Sequence, residues 1–349
     1  MPPVELLPAE VTGRLAGQPG VGAVDRNLAL DLVRVTEAAA LAAGRWVGRG
    51  DKESGDQAAV EAMRLILGTI DIDGVVVIGE GAKDEAPMLA DGERVGTGAG
   101  PAVDVAVDPV EGTSLLSYGR PDSIAVIGLA PRGTMWSPGP AFYMEKLVVG
   151  RDARDAVSRL SLDAPLRATL GAIAEAKGRR VEDLAVFVLD KPRHATLVAE
   201  LRAAGARVLL RTDGDVAGAL LAATPGSGVD ALMGIGGTPE GVIAACAVVA
   251  LGGAMFARLA PQLDDERAAL AAAGTDVARV LTERDLVASD DVFFAATGIT
   301  DGVLLDGVRY TAGGAVTTSL VMRGKTGTVR RVRAEHRWDR LTPLSPIAY

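Results

Sequence analysis

The chain has 349 residues, of which 48% are hydrophobic, 23% charged and 3% aromatic, and its formal net charge is −9. The length predicts one large domain or two lobes, and the apolar content excludes disorder for most of the chain. The negative charge disfavours nucleic acid or an anionic membrane as a partner. A single cysteine excludes an internal disulfide and a thiolate metal cluster, and two histidines disfavour a histidine-rich site. Carboxylates must therefore carry any metal binding.

The first elements are predicted to be helical. Apolar residues at helical spacing predict a helix over 26–47, and a second, amphipathic helix is predicted over 57–67. The segment 48–56, GRGDKESGD, separates the two. Asp56 then falls near the N-terminus of the second helix, where a carboxylate can cap the helix or bind a metal. The first ten residues have neither a basic region nor an apolar core, which predicts a cytoplasmic protein without a signal peptide.

Short β-branched runs follow. Strands are predicted at 74–81, 102–114 and 123–130, and the second of these runs into a polar turn that contains proline and glycine. The charged, alanine-rich stretch 150–183 is predicted to connect two halves of the chain. We therefore expect an N-terminal α/β lobe over residues 1–183 and a C-terminal α/β lobe over residues 184–349.

Strand and helix patterns alternate in the second half, which predicts a parallel α/β arrangement. The predicted strands are 184–190, 206–213 and 229–237, and the predicted helices are 194–205, 215–224 and 239–253. The tail over 307–324 alternates in part and is expected to add late strands that return to the first lobe. The uncharged run 241–257 is shorter than the ~20 residues of a membrane span, so it predicts a buried core helix.

Polar residues follow three of these strands at the point where each strand ends. The segments are DKPRH (190–194), RTDGD (211–215) and GIGGTPEG (234–241). Because ligands of open α/β sheets bind beyond the carboxyl ends of the strands, all three segments are expected at one edge. They bring two cations, two carboxylates and a glycine turn with Glu240 at a helix N-terminus, a position that favours phosphate.

Several common motifs are absent from the sequence. The GKT at 324–326 lacks the glycine of a phosphate-binding loop because Ser319 occupies that position, and GTGAG at 96–100 ends at Pro101. No G-x-S-x-G, HExxH or CxxC is present. These features argue against an NTPase, a dehydrogenase, a serine hydrolase and a zinc protease.

His194 and Cys246 are predicted to be structural.

The remaining candidates are carboxylates in turns or at helix starts. They are Asp56, Glu80, Asp84, Asp108, Glu111 and Glu240. Oxygen ligands suit Mg²⁺ and Mn²⁺, although any single carboxylate of this kind is equally compatible with a solvated turn or a helix cap. The run Asp108-Pro-Val-Glu111-Gly-Thr113 is more specific. Two carboxylates flank a proline that fixes the turn, and a hydroxyl follows, so the run can hold metals, a phosphoryl group and a water in one small volume.

This turn resembles the DP-x-D/E-G-T turn of the lithium-sensitive, metal-dependent sugar and inositol phosphatases. The wider pattern resembles the class II (GlpX-like) fructose-1,6-bisphosphatases over most of the chain. The matching stretches are GRGDKESGDQAAVEAMR, IGEGAKDEAPML, AVDPVEGTSLL, FYMEKL, LDKPRHA, RTDGD, GIGGTPEGV and GITDGVLLDGV, in order from residue 48 to 308. In inositol phosphatases, Glu-Glu is expected at the first metal-binding strand, Asp-Gly-Thr at the turn, and Trp-Asp late in the chain. Here Gly79-Glu80-Gly81, Glu111-Gly112-Thr113 and Pro239-Glu240 stand instead, which favours the class II branch.

The resemblance implies a role for each matching residue. Two or more Mg²⁺ or Mn²⁺ ions would be bound by Asp56, Glu80, Asp108, Glu111 and Glu240. Asp84 would lie nearby and, with Thr113, orient a water, and Lys52 would neutralise charge beside Asp56. The scissile phosphate would lie against Glu111, Gly112 and Thr113. The distal phosphate would be held by Tyr143, Lys191 and Arg193. Sugar hydroxyls would bind Asp213, Gly214 and Asp215, and Gly237 would let the backbone approach the substrate.

The resemblance also implies the fold and the reaction. We expect a layered αβαβα sugar-phosphatase fold, as in fructose-1,6-bisphosphatase and inositol monophosphatase, with two α/β lobes and a homodimer or homotetramer. The reaction would be hydrolysis of the 1-phosphate of D-fructose 1,6-bisphosphate by a metal-activated water, a step of gluconeogenesis. Two alternatives stay open, which are additional activity on sedoheptulose 1,7-bisphosphate and a non-catalytic sugar-phosphate-binding regulator.

Overall fold

A computed structural model of the chain describes residues 27–79, 89–344 and 347. The helices of these residues are α1 (Ala29–Ala43), α2 (Lys52–Leu67), α3 (Thr113–Ser117), α4 (Leu166–Ala176), α5 (Ala195–Ala203), α6 (Asp215–Ala223), α7 (Thr238–Leu251), α8 (Asp264–Ala272), α9 (Glu283–Leu286) and α10 (Trp338–Leu341). The strands are β1 (Asp73–Ile78), β2 (Arg94–Val95), β3 (Ala102–Glu111), β4 (Ile124–Pro131), β5 (Tyr143–Val149), β6 (Ala185–Leu189), β7 (Arg207–Arg211), β8 (Ala231–Gly237), β9 (Ala254–Leu259), β10 (Leu281–Thr282), β11 (Phe293–Gly298), β12 (Arg309–Thr311), β13 (Gly314–Arg323) and β14 (Thr328–Arg337).

Across the described ranges the strands form two sheets. The first has the order β12-β13-β11-β4-β3-β1-β2, with β14 paired to β13, and the second has the order β10-β9-β5-β8-β6-β7. The late strands therefore return to the first sheet, as the tail pattern predicts. The division into lobes at residue 183 stays a prediction, and the sheets cross it, because β5 belongs to the second sheet and β11 to β14 belong to the first.

Alternation along the described strands places their apolar side chains in hydrophobic cores on both faces of each sheet, which gives five layers. Val105 and Val107 of β3 face the core formed with α1 and α2, whereas Ala106 faces the core formed with α6 and α7. On the second sheet, Leu147 and Val149 face a third core that includes α4 and α5. The order is helices, sheet, helices, sheet, helices, because each sheet buries both faces. The predicted layered αβαβα fold is confirmed.

The start of α2 differs from the prediction. The helix begins at Lys52 rather than at residue 57, and Asp51 is its N-cap, with its carboxylate accepting the Ser54 N–H at 3.0 Å. Asp56 therefore lies in the second turn of the helix and does not cap it. The first turn of the helix was not predicted because glycine at 55 disfavours a helix. In the structure, Gly55 is buried against Trp46 and Leu116, where a larger side chain would collide.

The second sheet is mixed, because it also contains strands from outside the alternating segment for which a parallel arrangement is predicted. β6 is parallel to both β7 and β8, as the alternating pattern predicts. β5 is inserted between β8 and β9 and is antiparallel to both. Local sequence records strand propensity but not the partner of a strand, so this insertion is set by tertiary packing.

The uncharged run 241–257 divides between two elements. Most of it lies in α7, which is buried and ends at Leu251, and its last residues begin β9. No helix among the described residues combines the length and the apolar character needed to span a bilayer. Cys246 of α7 is fully buried against Gly128 of β4, which confirms its predicted place in the core.

Candidate active site

The site is a cleft of about 760 Å³ at the carboxyl ends of β3, β6, β7 and β8. It brings together most of the residues that the sequence singled out. Those that line it are Asp56, Asp108, Glu111, Gly112, Thr113, Tyr143, Lys191, Arg193, Asp213, Gly214, Asp215, Gly237 and Glu240. The three strand ends expected at one edge therefore meet there, together with the turn that follows β3. Glu80 and Asp84 lie outside the described residues.

A bulge in β3 sets the direction of the carboxylates. The register with β4 shifts between Asp108 and Glu111, where Pro109 cannot donate to the sheet. The Asp108 carboxylate accepts the Val110 N–H at 3.1 Å, which closes the turn. Gly112 then adopts a left-handed conformation with φ of 82°, and Thr113 begins α3 at the mouth of the cleft. This local chemistry explains why the 108–113 pattern could be interpreted from sequence.

Glu111 is a buried carboxylate at the start of α6. It is 4% exposed, and its Oε1 accepts the Val216 N–H at 2.7 Å. Burial, followed by the negative charges of Glu240 and Asp215, raises the pKa of Glu111 to about 8. Removal from water disfavours the charged form, and neighbouring anions add to that cost. The carboxylate therefore lies in a region of excess negative charge.

Glu240 is a second carboxylate whose surroundings disfavour its charged form. It lies in the first turn of α7, and burial raises the pKa of its carboxyl, while the charge of Lys146 lowers it. Its Oε2 is buried without a hydrogen-bond partner. A side chain at Gly237 would overlap this carboxylate. With glycine at 237, the Glu240 carboxylate can lie against the backbone, and the predicted close approach of the substrate at Gly237 stays a prediction.

The donor set suits a hard divalent cation. Buried carboxylates with raised pKa values and an unpartnered oxygen are stabilised when a cation neutralises them, and oxygen ligands suit Mg²⁺ and Mn²⁺. Within 27–79 and 89–344, however, no three carboxylate, histidine or cysteine side chains are close enough to form a metal site by themselves. The predicted set also includes Glu80, so the assignment of ligands stays a prediction.

Asp56 and Lys52 occupy successive turns of α2. Asp56 reaches the cleft, but Lys52 is exposed and donates to the Ser114 hydroxyl at 2.7 Å. Ser114 directly follows Thr113, so Lys52 ties α2 to the turn that carries the predicted water-orienting hydroxyl. Its predicted role beside the Asp56 charge stays a prediction.

Cations line the second-sheet side of the cleft. Lys191 lies 3.3 Å from Asp213, and Arg193 donates through Nε and Nη2 to the Ile235 carbonyl at 3.1 and 2.9 Å. The Arg193 guanidinium lies over the Tyr143 ring, 5.2 Å from its centroid. Lys191, Arg193 and the Tyr143 hydroxyl therefore form a surface of the cleft that suits an anionic group.

Lys146 is a functional candidate that the sequence interpretation missed. It lies in the middle of β5, is 2% exposed, and forms an ion pair with Asp215 while donating to the Gly237 carbonyl at 2.6 Å. One oxygen of Asp215 is therefore already occupied, which leaves the other for the sugar hydroxyl that the resemblance implies. The FYMEKL stretch contained Lys146, but nothing local in it indicates a partner 69 residues away.

Glu266 was also missed. It is fully buried, and its Oε1 accepts the N–H groups of Phe142 and Tyr143 at 2.7 and 2.9 Å. Its Oε2 accepts the Gln262 N–H at 2.9 Å. The carboxylate thereby fixes the backbone that carries the Tyr143 ring into the cleft.

His194 has the structural role expected for it. Its Nδ1 lies 2.7 Å from the Leu189 carbonyl, and its Nε2 accepts the Ile235 N–H at 2.7 Å. Burial lowers the pKa of this imidazole, which favours the neutral form that such an arrangement needs. The ring joins the ends of β6 and β8 behind the cleft.

Comparison with known proteins matches this chain to one family. The model of the bacterial, glpX-encoded fructose-1,6-bisphosphatases matches residues 26–336. The fructose-1,6-bisphosphatase 1 class 2 of Escherichia coli K12 is 45% identical over 331 residues, which cover 91% of this chain and 97% of that protein. The class 2 fructose-1,6-bisphosphatase of Shigella flexneri matches with the same identity and coverage. The resemblance seen in the sequence motifs is confirmed.

Proposed function

The chain belongs to the glpX-encoded bacterial fructose-1,6-bisphosphatase family, and we propose that it hydrolyses the 1-phosphate of D-fructose 1,6-bisphosphate to fructose 6-phosphate and phosphate. The observation that carries this proposal is the polarity of the cleft. Asp56, Asp108, Glu111 and Glu240 line the cleft beside α2, β3 and α7, and Lys191 and Arg193 line it beyond the end of β6. A substrate with a phosphate at each end matches that arrangement.

The metal-binding side is assigned to one buried and three half-buried carboxylates of the cleft, with a fifth outside the described residues. The family is metal-dependent, and we propose that Asp56, Asp108, Glu111 and Glu240 hold two or more Mg²⁺ or Mn²⁺ ions together with Glu80. When bound, such cations neutralise phosphate charge and lower the pKa of water. The raised pKa of Glu111 and the unpartnered Oε2 of Glu240 support this assignment, because a bound cation would offset the burial of both carboxylates and the repulsion from neighbouring anions.

The turn after β3 is assigned to the scissile phosphate. Gly112, in its left-handed conformation, exposes the backbone beside Thr113, where a phosphate oxygen can approach without a side chain in the way. The Thr113 hydroxyl can accept a hydrogen bond from a water and so orient it, and Asp84 is proposed to share this role. Lys52 holds the neighbouring Ser114 in place.

The cationic side is assigned to the distal phosphate and the sugar. Lys191 and Arg193 supply positive charge, and Tyr143 supplies a hydroxyl and supports the guanidinium. The 213–215 turn is proposed to bind sugar hydroxyls through Asp213, the Gly214 backbone and the remaining oxygen of Asp215. Arg193 keeps donors beyond the two that bind the Ile235 carbonyl, so it can bind a phosphate without leaving its position.

Phosphate release is the direct test. The purified protein is assayed with fructose 1,6-bisphosphate in Mg²⁺, in Mn²⁺ and in EDTA, beside sedoheptulose 1,7-bisphosphate and inositol 1-phosphate. Release that EDTA abolishes and that is absent with inositol phosphate is expected. Comparable release from the seven-carbon sugar would establish dual activity, and metal binding without any release would favour the non-catalytic regulator. The homodimeric or homotetrameric state and the cytoplasmic location stay predictions.

Two variants test the assignment of the two sides. Glu111→Ala should lower kcat at least ~100-fold, because even outer-shell changes at metal sites cost up to that factor. Arg193→Ala should mainly raise KM for the bisphosphate by about 10- to 100-fold, the value of a charge-assisted hydrogen bond. The exposed Glu175→Ala and Arg202→Ala are matched controls. Most of the activity remaining in Glu111→Ala would refute the metal assignment.

A further inference from the structure

Lys146 connects two loops of the cleft that no sheet pairing joins directly. Its ammonium group is buried between the start of α6, where it pairs with Asp215, and the end of β8, where it donates to the Gly237 carbonyl at 2.6 Å. β7, which leads into α6, lies at the far end of the second sheet from β5. The Lys146 side chain thus bridges the loop that follows β7 and the loop that follows β8.

Each of these loops carries or orients a carboxylate of the metal-binding side. The Val216 N–H, one residue after Asp215, donates to Glu111 at 2.7 Å, so the position of α6 sets the position of Glu111. The Glu240 carboxylate lies against Gly237, in the space that a side chain at 237 would occupy. Lys146 therefore pairs with Asp215, the neighbour of the residue that donates to Glu111. It also donates to the turn that precedes Glu240.

Packing leaves little freedom for this arrangement to adjust. A side chain at Gly236 would overlap the Asp215 carboxylate, so Asp215 lies against the backbone of β8. Asp215 itself is 8% exposed, and Lys146 is 2% exposed. A buried ion pair that loses one partner leaves an uncompensated charge, and the loops around it must then move or admit water.

We propose that Lys146 is a positioning residue for the hydrolysis, which holds the α6 start and the β8–α7 turn so that Glu111 and Glu240 face the same metal-binding point. It touches neither the substrate nor the metal. This inference rests on the proposed function and deepens it, because it names the side chain that assembles the metal-binding side from both sheets.

The test separates position from charge. The double variant Lys146→Met/Asp215→Asn removes one positive and one negative charge, so the net charge beside the metal-binding carboxylates is unchanged. Mn²⁺ affinity is measured without substrate on chelator-treated protein, from the paramagnetic resonance signal of free Mn²⁺, and kcat is measured at saturating Mn²⁺. Mn²⁺ affinity and kcat are each expected to fall at least ~10-fold, as for other changes behind metal ligands.

The matched control changes an ion pair of the same chemistry elsewhere. Lys177 and Asp152 pair at 2.7 Å beside α4, away from the cleft. Lys177→Met/Asp152→Asn is expected to leave the Mn²⁺ affinity and kcat within about twofold of the wild-type values. Wild-type Mn²⁺ affinity and kcat in the folded Lys146→Met/Asp215→Asn protein would overturn the proposal.

A second variant covers the case in which the double variant does not fold. In Lys146→Gln a shorter, neutral side chain reaches only one of the two loops. Electrostatics alone predicts tighter Mn²⁺ binding, because a positive charge has been removed, whereas a positioning role predicts binding at least ~3-fold weaker. Tighter or unchanged binding would overturn the proposal. If the wild-type protein binds Mn²⁺ but releases no phosphate, the proposed function fails while the Mn²⁺ titrations still decide the role of Lys146.

Discussion

Replacing Glu266 by glutamine tests how the Tyr143 side of the cleft is held. The change keeps the shape of the side chain but removes its charge. Oε1 accepts two backbone N–H groups, from Phe142 and Tyr143, and Oε2 accepts a third, from Gln262. A glutamine has one oxygen and one NH₂ group. Whichever way it is oriented, its NH₂ group faces at least one backbone donor.

The magnitude follows from those three contacts. Hydrogen bonds to a charged group contribute about 1.5–3 kcal/mol each, and neutral ones about 1 kcal/mol. The best orientation keeps both bonds to the amide oxygen in neutral form and loses the third in a fully buried site. The free energy of unfolding should therefore fall by about 3 kcal/mol, a large part of the 5–15 kcal/mol typical of proteins. KM for the bisphosphate should rise several-fold because Tyr143 is no longer fixed.

Urea unfolding and steady-state kinetics check both expectations. Glu175→Gln makes the same chemical change on the exposed face of α4 and should alter the free energy of unfolding by less than about 0.5 kcal/mol. If Glu266→Gln is as stable as this control, the three backbone contacts do not hold the segment. If its stability falls while KM is unchanged, the link from Glu266 to the position of Tyr143 is wrong.

Three further predictions concern the core and the surface. Gly128→Ala should destabilise the protein by about 1–3 kcal/mol in urea, because the new methyl would lie 2.8 Å from the Cys246 sulfur. Gly171→Ala, on α4 with open space around it, should instead stabilise by about 0.5–1 kcal/mol, and the reverse order would contradict this packing. At Asp285, burial raises the pKa, but hydrogen bonds from Thr282 and Arg159 outweigh it and lower the pKa to about 2. The stability that ionised Asp285 contributes is present above its unfolded pKa near 4 and is lost as the pH falls towards 2. Asp285→Asn should therefore lower the free energy of unfolding by about 2 kcal/mol at pH 7. It should also flatten the dependence of that free energy on pH between 4 and 2. Burial raises the pKa of the Cys246 thiol to about 12, so a disulfide reagent should label it only as fast as the protein unfolds, and rapid labelling of native protein would show that α7 opens.

Much of the site could be predicted because its signals are local. The 108–113 turn contains its own proline, glycine and hydroxyl, and the conformation that these residues impose is the one observed, with the bulge at Pro109 and the left-handed Gly112. Lys191, Arg193 and Glu240 each follow a strand, and the geometry of α/β sheets brings such positions together. The cleft therefore contains the residues expected in it, apart from Lys52, which is exposed beside it, and those outside the described ranges.

The start of α2 shows where local patterns mislead. Gly55 reads as a helix breaker, yet it lies inside the helix because Trp46 and Leu116 leave no room for a side chain. The cap is consequently Asp51, and Asp56 lies in the second turn of the helix, where it lines the cleft. Helix propensity is a weak preference that tertiary packing overrides at close contacts.

The sequence by itself determined alternating strands and helices with carboxylates and cations at the strand ends, because periodicity and turn chemistry are encoded within a few neighbouring positions. Its motifs also carried the resemblance to the family, and that resemblance implied the layered αβαβα fold. Only the tertiary structure decided that β5 lies between β8 and β9, that Lys146 pairs with Asp215, and that Glu266 holds Tyr143. These contacts join residues 69 and 123 positions apart. The energy of a buried charge depends on which partner the fold places beside it, and no local pattern records that placement.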